Sequence, residues 1–384
     1  MGDRILVLDG GMGTTLETLG YDVNTPLWGS ELLSSNPGAI EGIHERYLQS
    51  GADIIETATY QLTPSNLTQH LSCSSETAAQ ILRKGVNVAH SANGKGRAKG
   101  KIALSFGPFG STLSPGQEYG GIYPPPYGPS TSTNAFPSPS NLTGDSSTAA
   151  GAITQEEEVA VEALAQFHLD KLRVFASDLE TWKQVDWIAF ETVPVLHEVK
   201  AIRRAMGVLN VELAKEYAGD DHWWEKKFWI TSPFPSGQHP QLIKNGQDHA
   251  SIQQVLSAFI EGDGAIPHGI GINCANPSYL PSLTEAFTSA FRATAALEHE
   301  RRPYFVLYPD GGQVYDTITR TWSTPPSSGG PEAWAKQVYT IAKDLESATT
   351  RNGEKLWGGV IVGGCCKSSF EEIRALRNLV DAES

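Results

Sequence analysis

The chain runs to 384 residues, 40% of them hydrophobic, with 43 acidic against 29 basic side chains and a formal net charge of -14. That is a globular composition with enough length for a substantial core, and it argues against nucleic acid or an anionic membrane as partner, because no basic stretch offsets the repulsion. The opening MGDRILVLDGG carries no apolar run behind a basic segment, and no stretch supplies the roughly 20 apolar residues of a membrane helix.

Four cysteines are too few for a disulfide framework at this length, so a reducing, cytoplasmic setting is expected. Short apolar, β-branched runs recur and mostly end in glycine, proline or a polar residue. They are RILVLDGG from Arg4, ADIIETATY from Ala52, KIALSFGPFG from Lys101 and VDWIAFETVP from Val185. KKFWITSPF from Lys226, HGIGINCANP from His268, YFVLYPDGG from Tyr304 and LWGGVIVGGCC from Leu356 complete eight candidate strands.

Segments with helical spacing lie between them, among them GAIEGIHERYLQSG, HEVKAIRRAMGVLNVELAKEY and PEAWAKQVYTIAKDLESA. Strand alternating with helix predicts parallel strands joined by helical crossovers. Runs that are apolar on both faces fit strands covered on both sides. Eight such units predict a single α/β domain over 1–384, a closed (β/α)8 barrel. One stretch breaks the rhythm: residues 120–151, crowded with Pro, Ser, Thr and Gly, predict a flexible insertion or lid after the third strand that buries little.

In such a barrel the active site forms at the C-terminal ends of the strands. There the sequence places Asp9-Gly10-Gly11, then Glu56, Thr59 and Gln61, then Glu191-Thr192, Asn273-Cys274, Asp310-Gly311-Gly312 and Gly363-Gly364-Cys365-Cys366. Three of the four cysteines therefore converge on one mouth, and Cys73 is left as a bystander. Three convergent thiols in a reducing compartment point to a soft metal, zinc first, with Zn–S bonds of about 2.3 Å.

Neighbours on a regular strand point to opposite faces, so Cys365 and Cys366 share an ion only if the backbone leaves extended geometry. Gly363 and Gly364 are expected to permit that through their dihedral freedom. Buried small hydrophobes or a vicinal disulfide remain the alternatives for the tandem pair.

Three protein ligands leave a fourth position open, the pattern of a catalytic zinc. A centre with three thiolates is electron-rich and suits binding and deprotonating a substrate thiol, whose free pKa is near 8.5. Thr14-Thr15-Leu16-Glu17 reads as a capping box, which would start a helix just after the glycines. Its free amides would attract an anion.

LDGGMGTTLE, PLWGSELLSSNP, GADIIETATYQLTP, SFGPFGSTLSPGQEYGG, FETVP, GINCANP, VLYPDGGQVYD and GGCC together resemble the homocysteine S-methyltransferases over nearly the whole chain. The combination of GINC with a terminal GGCC is the specific part. The resemblance implies one zinc per chain held by Cys274, Cys365 and Cys366, and methyl transfer to homocysteine to give methionine. It implies that Glu191 holds the substrate's amino group and that the amides at Asp9, Gly10, Gly11 and Met12 receive its carboxylate.

Gln61, Asn273 and Asp310 are further candidates for substrate contact, and Tyr60 or Gln61 for the metal's open position at rest. The order of the motifs matches members that use S-methylmethionine or S-adenosylmethionine rather than betaine. A betaine-using enzyme and a non-catalytic thiol- or metal-binding barrel are the competing readings. Relatives commonly carry an Asn-Ser or similar pair after YP, where this chain has Asp310-Gly311, so Asp310 either favours a sulfonium's charge or caps a turn.

Overall fold

The computed structural model describes residues 5–23, 25–94, 99–137, 154–217, 222–243, 246–294, 301–316, 321–323 and 329–382. Eight parallel strands carry the architecture: β1 (Ile5–Val7), β2 (Ile54–Glu56), β3 (Lys101–Phe106), β4 (Trp187–Phe190), β5 (Lys227–Pro233), β6 (Gly269–Asn273), β7 (Tyr304–Tyr308) and β8 (Gly359–Val362). Each pairs with its sequence neighbour, and β1 pairs with β8. The ring closes between β1 and β2 through a parallel bridge from Leu8 to Ile54, with Asp53 N donating to Val7 O at 2.7 Å and Asp9 N to Ile54 O at 3.0 Å. This is the expected (β/α)8 barrel.

A helix follows each strand: α1 (Pro37–Gln49), α2 (Ser75–Asn93), α3 (Gln155–Ala176), α4 (Leu196–Glu216), α5 (Ile252–Ile260), α6 (Leu280–Arg292), α7 (Gly330–Ser347) and α8 (Phe370–Ala382). Several starts carry local caps. Ser74 accepts from Thr77 N, Thr154 from Glu157 N, and Ser251 with Gln254 forms a full capping box. Such caps satisfy amides that a helix start leaves orphaned.

Strand periodicity divides the core into two layers. Leu8, Ile54, Ala103, Trp187, Ala189, Trp229, Val306, Tyr308 and Ile361 fill the barrel interior as one buried cluster. The alternate residues, such as Leu104, Ile188, Ile230 and Phe305, pack outward against the helices. Burying each large apolar side chain contributes about 1.5–3 kcal/mol. The same alternation aims Glu56, Ser105, Asn273 and Tyr308 inward near the strands' C-terminal ends.

Two local expectations are corrected. The helix after the first glycines spans Met12–Thr18 with Gly11, not Thr14, at its N-cap, and no side chain caps it. The Thr14 hydroxyl instead donates to Gly11 O at 3.3 Å and accepts from Lys367 N at 2.8 Å. Two short antiparallel hairpins, Leu242–Ile243 with Asp248–His249 and Val314–Asp316 with Thr321–Ser323, were not foreseen, because pieces this short carry no periodicity.

The stretch after β3 is built into the barrel as far as residue 137, contrary to its proline-rich composition, and residues 138–153 lie outside the described residues. Tyr123, Asn134 and Ala135 are buried. Tyr123 Oη donates to Glu198 Oε2 at 2.6 Å, and Phe109 N donates to Glu198 Oε1 at 2.6 Å. Fully buried Glu198 also meets His168 Nε2 at 2.9 Å. Partners this distant in sequence leave no trace in local composition. No helix among the described residues is long and apolar enough to cross a membrane.

Candidate metal centre

Cys274, Asp310, Cys365 and Cys366 each bring one ligand atom to the barrel mouth, and these atoms all lie within 4.8 Å of one another. Cys274 directly follows β6, where strand alternation would turn its side chain away from Asn273. It adopts φ +46°, in the left-handed region, and its sulfur comes back to within 3.2 Å of Asn273 Nδ2. Thr192, after β4, is also left-handed at φ +59°, and its Oγ1 lies 3.8 Å from the same sulfur. Such residues carry strain of order 1–3 kcal/mol and persist where neighbours hold them. The Asn273 amide is that neighbour, accepting from Thr192 N at 2.9 Å and donating to Thr192 Oγ1 at 2.7 Å.

Cys365 and Cys366 lie in a tight turn closed by Ser368 N donating to Cys365 O at 3.1 Å, with Lys367 left-handed at φ +59°. Cys365 N donates to Pro309 O at 2.7 Å, and Gly311 N to Cys366 O at 2.8 Å, so β7 and β8 hold the pair jointly. The glycines before the pair work differently from the expectation. Neither Gly363 nor Gly364 has a positive φ. A Cβ on Gly363 would stand 2.7 Å from Asp9 O, and one on Gly11 would stand 2.5 Å from Cys365 O. Missing side chains let β1 and the cysteine turn pack closely; the left-handed step comes three residues after Gly364, at Lys367.

Among the three thiols, hydrogen bonds from Cys274 and Cys365 hold Cys366 down at about 6. The bond from Cys365 favours a Cys274 thiolate, but donation to Cys366 and burial outweigh it and push Cys274 up to about 12. Five carboxyls surround the cluster, those of Asp9, Glu56, Glu118, Glu191 and Asp310, and burial pushes each of them up. Glu191, raised to about 8, accepts from Ser105 Oγ at 2.5 Å. Asp9 Oδ1, Glu56 Oε1, Glu118 Oε2 and Asp310 Oδ1 are buried without a hydrogen-bond partner. Orphaned, crowded carboxyls are costly unless a cation completes them.

The other candidate residues divide. Asp9 Oδ2 accepts from Glu56 N at 3.0 Å, and the amides of Asp9 and Gly11 are committed to Ile54 O and Ser368 O, each at 3.0 Å. Of the four amides expected to receive a carboxylate, those two therefore already have partners. Gln61 reaches back to Pro26 O at 3.5 Å. Cys73 lies apart, its sulfur 3.6 Å from Leu67 O.

Sequence reasoning passed over Ser105, whose inward position follows from the alternation in KIALSF. It also passed over Glu118 and Tyr119, which sit in a loop without any period to read.

The donor set suits zinc. Bonds of about 2.3 Å at tetrahedral angles put ligand sulfurs roughly 3.8 Å apart, and the four atoms here lie within 4.8 Å of one another.

Residues 6–380 match the family described as homocysteine S-methyltransferase. The chain is 25% identical over 382 residues to homocysteine S-methyltransferase 1 of Brassica oleracea var. italica, covering 96% of this chain and 91% of the relative. It is 27% identical to homocysteine S-methyltransferase YbgG of Bacillus subtilis, covering 97% and 93%. The metallated form of the homocysteine methyltransferase MmuM from Escherichia coli shares the fold, with a TM-score of 0.59 at 21% identity over 98% of this chain and 96% of that one. The chain belongs to the homocysteine S-methyltransferase family and is a methyltransferase enzyme.

Proposed function

We propose that this protein transfers a methyl group from a sulfonium donor, S-methylmethionine first and S-adenosylmethionine second, to homocysteine, forming methionine, with one zinc per chain. The observation that carries the reading is the meeting of three sulfurs and the Asp310 carboxylate within 4.8 Å at the barrel mouth. Cys274, Cys365 and Cys366 would hold the zinc, and Asp310, whose Oδ1 is orphaned, would offer a fourth donor. A zinc held there would supply a site at which a substrate thiol is deprotonated at neutral pH.

The chain's own residues do the rest. Glu191, fixed by Ser105, pairs with the ammonium of homocysteine and so aims its thiol at the cluster. The amides of Gly10 and Met12 remain candidates for its carboxylate. Asn273 and Thr192 orient the Cys274 sulfur. In the transfer, a lone pair on the homocysteine sulfur forms the new S–C bond. The C–S⁺ bond breaks with its electron pair going to the donor sulfur, which leaves as a neutral thioether, and the thiol's proton goes to solvent. Positioning and exclusion of water carry the rate. A donor of net positive charge is favoured by the carboxyls around the mouth.

The test is to supply zinc-quantified protein with homocysteine and S-methylmethionine, S-adenosylmethionine or betaine in turn, and to measure methionine. About one zinc per chain and methionine from the sulfonium donors are expected. A zinc-free Cys365→Ala/Cys366→Ala protein that retains full transfer would overturn the mechanism, and methionine from betaine alone would overturn the donor.

A further inference from the structure

The loop that follows β3 brings two side chains to the cluster that nothing above employs. The Tyr119 phenol stands beside the Cys274 sulfur, near enough to Cys365, Cys366 and Asp310 to feel their charges. Its ring is 45% exposed and forms one wall of a cavity of about 230 Å³, lined further by Ile122, Asn134, Ser236, Gln238 and His249. One side chain thus borders both the thiols and a separate, largely apolar chamber that carries a few polar groups. Beside it, Glu118 Oε2 is buried without a hydrogen-bond partner, and the carboxyl faces Cys274 and Tyr60.

The loop is rigidly built. Gln117 N donates to Gly110 O at 2.9 Å and Gly121 N to Gln117 O at 2.7 Å. Buried Asn134 then ties the loop to the segment after β5. Its Nδ2 donates to Gly120 O at 2.8 Å and to Pro240 O at 3.0 Å, and its Oδ1 accepts from Leu242 N at 2.7 Å. Glu118 and Tyr119 are therefore held in place by both neighbouring loops, which suits a binding element.

We propose that this loop is the methyl donor's subsite, in which Glu118 meets the donor's positive charge, Tyr119 lies against its sulfonium, and the adjoining cavity takes its amino-acid end. The assignment rests on the sulfonium-donor reading above and deepens it. An orphaned carboxylate and an aromatic ring are complementary to a sulfonium, the ring through its π-face. The donor must present its methyl carbon to a sulfur bound at the cluster, and Tyr119 stands at that boundary. At about 230 Å³ the chamber falls below the roughly 300–1,000 Å³ of drug-sized pockets, which suits the amino-acid end of a sulfonium donor.

The experiment compares wild type with Glu118→Gln and Tyr119→Ala for zinc content, melting temperature, both KM values, and calorimetric binding of S-methylmethionine and of homocysteine. For Glu118→Gln, the donor KM and Kd rise roughly tenfold or more, as for a lost charge-assisted contact. Zinc content, melting temperature and homocysteine binding stay unchanged. For Tyr119→Ala, the donor KM and Kd likewise rise roughly tenfold, as the sulfonium loses the ring's π-face.

Donor binding that is unchanged in Glu118→Gln, or homocysteine binding that weakens as much as donor binding, overturns the assignment. So does lost zinc in either variant, which would make the loop part of the metal site. A zinc-loaded wild type that makes no methionine from either sulfonium fails the proposed function instead. The calorimetric titration still reads the subsite directly in that case.

Discussion

The side-chain amide of Asn273 donates to the sulfur of Cys274, the next residue in the chain, at 3.2 Å, and through the same nitrogen to Thr192 Oγ1 at 2.7 Å. One amide thereby stabilises two left-handed residues at the ends of β4 and β6. Asn273→Ala is expected to weaken zinc affinity about 10–100-fold, the usual cost of losing a group that orients a ligand. Competition with a chelating dye measures it, and unchanged affinity would show that Cys274 holds its conformation unaided.

Thr14 plays the matching role for the tandem cysteines, since its hydroxyl accepts from Lys367 N, 353 residues away, and donates to the nearby Gly11 O. Thr14→Val keeps the shape and removes both bonds, leaving the Lys367 amide unpaired. A loss of about 1–3 kcal/mol is expected, read from urea denaturation with and without zinc. Identical midpoints for the variant and wild type would contradict this.

Glu191→Gln retains an acceptor for Ser105 but removes the charge proposed to hold the homocysteine ammonium. The homocysteine KM should rise about 10–100-fold, in line with a lost charge-assisted contact, while the donor KM stays within about twofold. Steady-state kinetics with each substrate varied separately decides it; a rise confined to the donor KM would reassign Glu191.

His44 is fully buried with neither ring nitrogen hydrogen-bonded, and burial lowers its pKa from 6.5 to about 4. The folded protein therefore keeps His44 neutral where the unfolded chain protonates it. Its contribution is present in full above pH 6.5 and is lost as pH falls toward 4, by about 3 kcal/mol in all. His239 and His268, each lowered to about 3 by burial, act in the same direction. Denaturation midpoints at pH 7.5 and 4.5 should diverge less in His44→Leu than in wild type. Equal divergence would remove His44 from the account.

Much of the fold was legible because barrel strands must be apolar on both faces. The runs around Ile54, Ile188 and Ile361 announce themselves without any knowledge of their partners. The identity of the cluster was legible for a related reason. The ends of parallel barrel strands converge by construction, so GINC and GGCC had to meet once eight strands were counted. The residues that orient the ligands were not readable in this way. Thr14 reads locally as a helix cap and Gly363 as a flexible joint, yet each acts through an atom hundreds of residues away.

By itself, then, the sequence determined the strand count, the inward alternation and the supply of sulfur at the mouth, because each depends on local periodicity and on which residue ends a strand. Tertiary structure alone decided that Asp310 joins the sulfurs, that Asn273 holds Cys274, and that Glu118 and Tyr119 come near Cys274. Those relations are distances between loops closed by the barrel, and loop geometry depends on partners that no window of the chain contains.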